Sequence, residues 1–206
     1  MLERFRQFWT NIFKPVAHLL IRLGVSPDAV TVVGTLGVVV GALGFFPRGQ
    51  LLLGDVIITA FVFSDMIDGY MARTLGTSSK WGSFLDSTLD RLGDAAIFAG
   101  LACWLFGGGD DRLLAYVALW GLVMGSVTSY TRAKAESLGM QAKGGIAERS
   151  DRLVAVLVMT GLSDIFNAPI LLTLVLWVVA VASTVTVLQR VWLVRRQALA
   201  DPALPS

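Results

Sequence analysis

The sequence of 206 residues contains one cysteine and one histidine. A single cysteine cannot form a disulfide within the chain, and Cys103 lies in the apolar run GLACWLF, where a buried and inert thiol is expected. His18 has no second histidine to act with, which excludes histidine-based metal sites and catalytic triads. Catalytic or metal-binding chemistry must therefore come from other residue types.

Charge is also scarce in this chain, with 16% charged residues and a formal net charge of +2. This net charge is too small to indicate nucleic-acid binding, and no basic patch interleaved with aromatic residues occurs. Apolar residues, in contrast, make up 55% of the sequence, and the mean hydropathy is +0.69. These values are typical of an integral membrane protein rather than of a soluble domain.

Long apolar runs predict an all-α bundle of six transmembrane helices. The predicted spans are 29–46, 51–72, 82–106, 112–135, 152–163 and 169–194. No second domain or repeat is visible, so we expect one membrane domain over residues 1–206. It comprises an amphipathic helix in the membrane interface (1–24), the six-helix core (25–196) and a tail (197–206).

The basic residues divide unevenly between the two sides of the predicted bundle. Arg48 and Arg112 fall in outer loops, whereas the other 15 of the 17 lysines and arginines fall on the side of the two termini. An excess of Lys and Arg marks the cytoplasmic side of a membrane protein. We therefore expect a multi-pass protein of the cell membrane, with both termini on the cytoplasmic side.

Four aspartates lie within residues 65–90 of this apolar sequence. Asp65 and Asp68 are three residues apart, and Asp86 and Asp90 are four apart, so each pair lies on one face of a helix. The polar stretch between the pairs indicates a helix end and a short connection. The two helices should therefore run antiparallel, with all four carboxylates at a similar depth near the cytoplasm.

Carboxylates inside a membrane protein need compensating positive charge. An ionised aspartate at the centre of a spanning helix costs about 2.5 to 3.5 kcal/mol on insertion scales, and four would cost on the order of 10 kcal/mol. Arg73 alone cannot balance four carboxylates, whereas two divalent cations supply the charge and prefer oxygen ligands. Salt bridges between helices, or exposure at the membrane surface, are the alternative explanation.

The spacing of these residues is similar to a known signature. The pattern D-x2-D-G-x2-A-R-x8-G-x3-D-x3-D is matched at every fixed position by Asp65, Asp68, Gly69, Ala72, Arg73, Gly82, Asp86 and Asp90. It resembles the signature of the CDP-alcohol phosphotransferases. The resemblance implies an α-helical membrane enzyme, a homodimer as in its family, in which the hydroxyl of a second substrate displaces CMP from a CDP-linked lipid.

The resemblance also implies roles for individual residues. Two Mg²⁺ ions, with Mn²⁺ as a substitute, would be held by Asp65, Asp68, Asp86 and Asp90. Asp90 would also accept the proton of the incoming hydroxyl, although the sequence alone does not separate its role from that of Asp86. The residues expected to bind CDP-diacylglycerol are Asp28, Ala29, Val30, Thr31, Gly69, Ala72, Arg73 and Ser79.

A second cluster, of cationic residues, is predicted at the same membrane level. Arg190 lies inside an amphipathic helix end and needs an inward-facing partner. Arg149 belongs to the cluster by position, but the sequence gives it no separate role. The residues expected to bind the phosphate of an anionic acceptor are Ser129, Arg132, Lys134, Arg152 and Arg190. Ordinary charge of the cytoplasmic side is the alternative explanation.

Two further segments indicate which acceptor is used. SYTRAKAESLG and GGIAERSDR resemble, within the family, the bacterial enzymes that join CDP-diacylglycerol to inositol 1-phosphate, releasing CMP in phospholipid biosynthesis. The nearest alternative is a sister enzyme that uses glycerol 3-phosphate and makes phosphatidylglycerophosphate. A divalent-cation transporter is more distant, because the outer halves of the spans hold a single carboxylate, Asp55.

Overall fold

The computed structural model describes residues 13–146 and 148–200, and within them the chain folds into helices without a strand. The chain is helical over 13–22 (α1) at the start of the described part. The later helices are α2 (Pro27–Phe45), α3 (Leu51–Val62), α4 (Ser64–Leu75), α5 (Lys80–Phe106), α6 (Arg112–Ser137), α7 (Arg149–Ile165) and α8 (Pro169–Ala200), with a short 3-10 helix at Phe46–Arg48. The all-α prediction is confirmed.

The start of α2 follows from its local sequence. Ser26 has extended backbone geometry, and its hydroxyl accepts a hydrogen bond from the Ala29 amide at 3.2 Å. Pro27 occupies the first helical turn, where its missing N–H has no partner to lose. These residues fix the helix end that carries Asp28 and Thr31.

The predicted span 51–72 is wrong as one continuous helix, because the structure divides it into α3 and α4. Phe63 separates the two, with a ψ of −11°, and the Met66 amide bonds the Phe63 carbonyl three residues back at 3.1 Å. Both features depart from regular α-helix geometry. At this level α2 lies so close that a Cβ on Gly34 would be 2.7 Å from the Ser64 Cβ. The acidic pair therefore stands on its own short helix, α4.

The helices of the core pack closely at positions where glycine, which has no side chain, leaves room for the neighbouring helix. A Cβ on Gly100 of α5 would lie 2.6 Å from the Ala42 carbonyl of α2, and one on Gly41 would lie 2.9 Å from Ile58 of α3. Close approach through glycine is typical of helix packing in lipid. Beyond α5, α6 packs on α5 and α8, and α7 packs on α3 and α8.

Three stretches of the described chain are long and apolar enough to cross a membrane. They are Pro27–Arg48, Arg112–Ser137 and Pro169–Ala200, with mean hydropathies of 2.2, 1.5 and 2.5. These stretches make the chain a membrane protein. Half of the predicted interfacial helix, residues 1–12, and part of the tail, residues 201–206, lie outside the described residues.

Candidate active site

Three of the four predicted carboxylates meet in space. One oxygen from each of Asp65, Asp68 and Asp86 lies within 4.8 Å of the others. The connection that brings α4 and α5 together ends α4 at Gly76, which has a φ of 65°, and starts α5 at Ser79, whose hydroxyl accepts from the Gly82 amide at 3.0 Å. A left-handed glycine and a serine cap thus provide the short turn that the sequence indicated.

Asp68 is the buried member of this group, and α2 holds its carboxylate in place. The Thr31 hydroxyl donates to Asp68 Oδ2 at 2.6 Å, and only 7% of Asp68 is exposed. Because α2 also begins beside Asp28, the same helix end contributes to two parts of the site. Thr31 therefore acts on Asp68, and the sequence had placed it only among the CDP-lipid residues.

Asp90 does not belong to the three-carboxylate group and is paired with guanidinium groups instead. Its Oδ1 lies 2.8 Å from Nη2 of Arg149, and its Oδ2 lies 3.8 Å from Nη2 of Arg91. The structure thus places three predicted metal ligands together and sets the fourth against guanidinium groups. This arrangement separates Asp90 from Asp86, which sequence spacing alone could not do.

Arg149 is the functional residue that sequence reasoning left without a role. Besides Asp90, it contacts Asp94 through Nε at 3.0 Å and approaches Asp65 through Nη1 at 3.8 Å. Arg149 is thus a cation besides Arg73 that offsets the charge of the aspartates, through the salt bridges between helices that the sequence analysis kept as the alternative. The available signal was the position of Arg149 at the start of a helix on the same membrane level as the aspartates.

Asp94 joins this cation to a second one. Its carboxylate, which is 11% exposed, lies 3.5 Å from Nη2 of Arg91, and Arg91 donates to the hydroxyl of Ser129. A continuous series of charged contacts therefore runs from Asp65 through Arg149, Asp94 and Arg91 to α6. Paired in this way, charges inside a membrane protein lose much of the cost of burial.

A cavity of about 850 Å³, here called the carboxylate cavity, opens between α2, α4 and α5. Its lining includes Asp28, Asp65, Asp68, Gly69, Ala72, Arg73, Ser79, Asp86, Asp90 and Arg149. Five of the eight predicted CDP-lipid residues thus line one space. Ala29, Val30 and Thr31 are not among its lining residues: Val30 packs into a small apolar cluster with Ala17 and Met71, and Thr31 bonds Asp68. Their role in binding the CDP-lipid stays a prediction.

A second cavity of about 840 Å³, here called the arginine cavity, lies between α5, α6, α7 and α8. Its lining includes Asp90, Arg91, Ser129, Arg132, Arg149, Arg152 and Arg190. Four of the five predicted acceptor residues are thereby brought together. The fifth, Lys134, does not line it, because two residues along a helix from Arg132 is a rotation of about 200°.

Arg190 finds the inward-facing partners that its position required, and they are backbone carbonyls. Its Nε donates to the Gly144 carbonyl at 3.0 Å, and Nη1 donates to the Thr128 carbonyl at 2.5 Å. Arg152 is 3% exposed and lies beside Gly125, where a Cβ would be 3.4 Å from its Nη2. The Arg190 guanidinium is thus held by main-chain carbonyls, and the Arg152 guanidinium is buried against α6.

The three-carboxylate group has the donor chemistry of a divalent-cation site. Hard divalent cations take oxygen ligands from carboxylates, and Asp65, Asp68 and Asp86 offer such oxygens from two helices. Asp68 is pre-oriented by Thr31, as ligands held by a supporting hydrogen bond commonly are. The residues present therefore fit the use of a divalent cation.

Comparison with known proteins agrees with this geometry. The family description "CDP-alcohol phosphatidyltransferase" matches residues 24–145. A phosphatidylinositol phosphate synthase of Streptomyces avermitilis is 52% identical, with the match covering 98% of this chain and 86% of the relative. One of the same name from Cutibacterium acnes is 49% identical, over 95% of this chain and 98% of the relative.

Solved structures show the same relationship. The crystal structure of Mycobacterium tuberculosis phosphatidylinositol phosphate synthase with CDP-DAG bound superposes with a TM-score of 0.87 at 40% identity, over 95% of this chain and 98% of that one. The structure in complex with manganese and citrate gives 0.85 at 40% identity, over 93% and 91% of the two chains. The chain therefore belongs to the CDP-alcohol phosphatidyltransferase family and is a transferase.

Proposed function

We propose that this protein transfers the phosphatidyl group of CDP-diacylglycerol to inositol 1-phosphate and releases CMP. The observation that carries the proposal is the pair of similar cavities, one rich in carboxylates and one rich in arginines, which share Asp90 and Arg149 at their border. A reaction that joins two anionic substrates needs two such sites in contact. The names of the relatives and the CDP-DAG complex of the mycobacterial enzyme support the same assignment.

The carboxylate cavity is proposed to bind the CDP-lipid. Asp65, Asp68 and Asp86, with Asp90, would hold two Mg²⁺ ions or Mn²⁺ in their place. Bound there, the metal would neutralise the pyrophosphate and the departing CMP. Around it, the small residues Gly69 and Ala72 let the nucleotide approach α4, while the remaining binding residues are Asp28, Arg73 and Ser79.

Asp90 is proposed as the general base. It borders both cavities, so its carboxylate faces the place where an acceptor hydroxyl must meet the lipid phosphorus. It takes the hydroxyl proton as the new P–O bond forms and the bond to the CMP phosphate breaks. A base within hydrogen-bond reach of the nucleophile is the geometric requirement for this role.

The arginine cavity is proposed to bind the phosphate of the acceptor. Arginine offers a planar fork that matches phosphate oxygens, and Arg132, Arg152 and Arg190 present such groups beside the hydroxyl of Ser129. Free inositol would bring no negative charge to a cavity in which five guanidinium groups face three carboxylates, one of them Glu136 paired with Arg132 at 2.9 Å. We therefore infer a phosphorylated acceptor, with inositol 1-phosphate favoured by the names of the relatives and glycerol 3-phosphate as the alternative.

The placement of this site in the membrane is also proposed. Residues 1–206 would form one membrane domain with six spans, α3 and α4 together making the second span. Both termini and the two cavities would lie on the cytoplasmic side of the cell membrane, where nucleotide-linked substrates occur, and the basic residues support this orientation. Residues 1–24 would lie in the interface, and the protein would be a homodimer.

The experiment that tests the proposal is a CMP-release assay on purified protein in detergent with CDP-diacylglycerol, Mg²⁺ and a panel of acceptors. We expect CMP release and a phosphatidylinositol phosphate product with inositol 1-phosphate, and none with free inositol. Phosphatidylglycerophosphate as the product in a mixture of both acceptors would overturn the acceptor assignment. It would leave the family assignment in place.

A further inference from the structure

We propose that Arg149 is a catalytic residue that contacts the phosphoryl group during its transfer, and that Asp94 is the positioning residue that holds it. The inference rests on the proposed function. Among the residues that the structure describes, Arg149 is the cation that lines both large cavities. Its guanidinium therefore stands where the acceptor hydroxyl meets the lipid phosphorus.

The three nitrogen positions of Arg149 are used unequally. Nε bonds Asp94 at 3.0 Å and Nη2 bonds Asp90 at 2.8 Å. Nη1 is 3.8 Å from Asp65, which is beyond hydrogen-bond distance. Nη1 is thus the donor least engaged by the protein, and the carboxylate that it approaches, Asp65, belongs to the three-carboxylate group. A phosphoryl oxygen beside Nη1 would complete its hydrogen bonding.

The position of the Arg149 guanidinium suits the charge changes that occur during the transfer. The acceptor oxygen bonds to the lipid phosphorus, and the bond between that phosphorus and the CMP phosphate oxygen breaks with its electron pair leaving on CMP. As Asp90 takes the hydroxyl proton, its negative charge is lost while charge is spread over the phosphoryl oxygens. A guanidinium within reach of both groups exchanges one anionic partner for the other without moving far.

Asp94 explains how Arg149 is held. It is buried, it bonds Nε of Arg149, and it also pairs with Arg91 at 3.5 Å. A bond to Nε fixes the plane of the guanidinium and turns both terminal amino groups toward the cavities. Asp94 lines neither of the two large cavities, so its effect on catalysis must pass through the cations that it orients.

The test compares Arg149→Lys, Arg149→Gln and Asp94→Asn with the matched control Arg195→Gln, an exposed arginine near the end of α8. We expect kcat to fall about 10²- to 10³-fold in both Arg149 variants, as for loss of one preorganised transition-state donor. Asp94→Asn should lower kcat about tenfold or more. The KM values for CDP-diacylglycerol and the acceptor should stay within about threefold, and the control should match the wild type.

A second readout does not depend on turnover. Manganese binding, measured by electron paramagnetic resonance without substrate, should tighten about threefold to tenfold in Arg149→Gln, because a positive charge next to the carboxylates is removed. A merely structural role would leave this affinity unchanged or weaken it. Unchanged kcat, or a rise confined to the acceptor KM, would overturn the inference. If a variant of Arg149 does not fold, Asp94→Asn gives the turnover readout, and its manganese binding should weaken rather than tighten, because a negative charge near the carboxylates is removed.

The role of Arg149 and the proposed function can each fail without the other, and the assays distinguish the two failures. The wild-type protein is first assayed with inositol 1-phosphate and glycerol 3-phosphate, and the variants are then assayed with the acceptor that it uses. A different acceptor overturns the proposed substrate but not the role of Arg149. A normal kcat of Arg149→Lys with the correct acceptor overturns the role of Arg149 alone.

Discussion

The carboxylate cavity and the arginine cavity are nearly equal in volume, at about 850 and 840 Å³, yet opposite in charge. The first is lined by five carboxylates and two guanidinium groups, the second by five guanidinium groups and three carboxylates. An anionic substrate can enter the second directly. In the first, a pyrophosphate would meet an excess of negative charge, which divalent cations must reverse. This contrast supports the proposal of one substrate for each cavity.

The two cavities also differ in how their charged groups are held. In the carboxylate cavity, Asp68 accepts from the Thr31 hydroxyl and Asp28 from the Trp81 indole, whereas Asp65 and Asp86 lie together with Asp68 in the group that can hold a cation. In the arginine cavity, Arg190 is bonded to main-chain carbonyls. A guanidinium held by the backbone stays in position when no ligand is bound. We infer that the acceptor site is preformed, whereas the donor site is completed by metal.

The largest expected effect is that of removing metal from the carboxylate cavity. Chelation of divalent cations should abolish CMP release, and Asp68→Asn should lower kcat by about 10²-fold or more, because the metal supplies most of the charge stabilisation. Binding of inositol 1-phosphate, measured by calorimetry, should persist in both cases. Asp110→Asn, in the loop between α5 and α6, is the matched control. Full activity after exhaustive chelation would contradict the contrast between the cavities.

Asp90→Asn should slow the chemical step while both substrates still bind in their cavities. The amide fills the same space but cannot accept a proton, so turnover should fall about 10²- to 10⁴-fold. Dissociation constants of CDP-diacylglycerol and of the acceptor should change little. Rapid-quench measurement of a single turnover, beside equilibrium binding, separates the two effects. Near-normal turnover would mean that another group is the base.

Arg152→Ala should affect the arginine cavity alone. Loss of one hydrogen bond between charged groups costs about 1.5 to 3 kcal/mol, which corresponds to a rise of about 10- to 100-fold in the acceptor KM. The KM for CDP-diacylglycerol should change by less than about twofold, since that substrate is held on the other side of Asp90. Steady-state kinetics with each substrate varied in turn measures both. An equal rise in both KM values would show that the cavities are not independent.

Gly69→Ala should give a smaller effect confined to the carboxylate cavity. The new Cβ would lie 3.4 Å from Nη1 of Arg73 and would occupy space that the nucleotide needs. Crowding of about 1 kcal/mol raises the KM for CDP-diacylglycerol about fivefold. The acceptor KM should be unchanged. A rise in the acceptor KM with an unchanged KM for CDP-diacylglycerol would reverse the assignment of the cavities.

Lys134→Ala should have the smallest effect. Lys134 is exposed and does not line the arginine cavity, although it is only two residues from Arg132. Both KM values should stay within about twofold of the wild type, in the same kinetic assay as Arg152→Ala. A rise in the acceptor KM comparable to that of Arg152→Ala would show that its side chain reaches the phosphate after all.

The sequence by itself determined the features that depend on neighbouring residues. Apolar runs identified the helices, Ser26 and Pro27 marked the start of α2, and the spacing of four aspartates identified the family. Helix formation and capping act over a few residues, so a linear pattern contains the necessary information. For the same reason, the motif residues Gly69 and Arg73 could be named as lining residues before their surroundings were known.

Tertiary structure alone decided the pairing of groups that are distant in the chain. Thr31 bonds Asp68, Arg149 bonds Asp90 and Asp94, and Lys134 turns away from the cavity that Arg132 lines. Each outcome depends on how far one helix is rotated against another, and that rotation is set by close contacts such as Gly100 against Ala42. The spacing of residues along the chain does not specify this rotation, because the rotation arises from packing across the whole bundle.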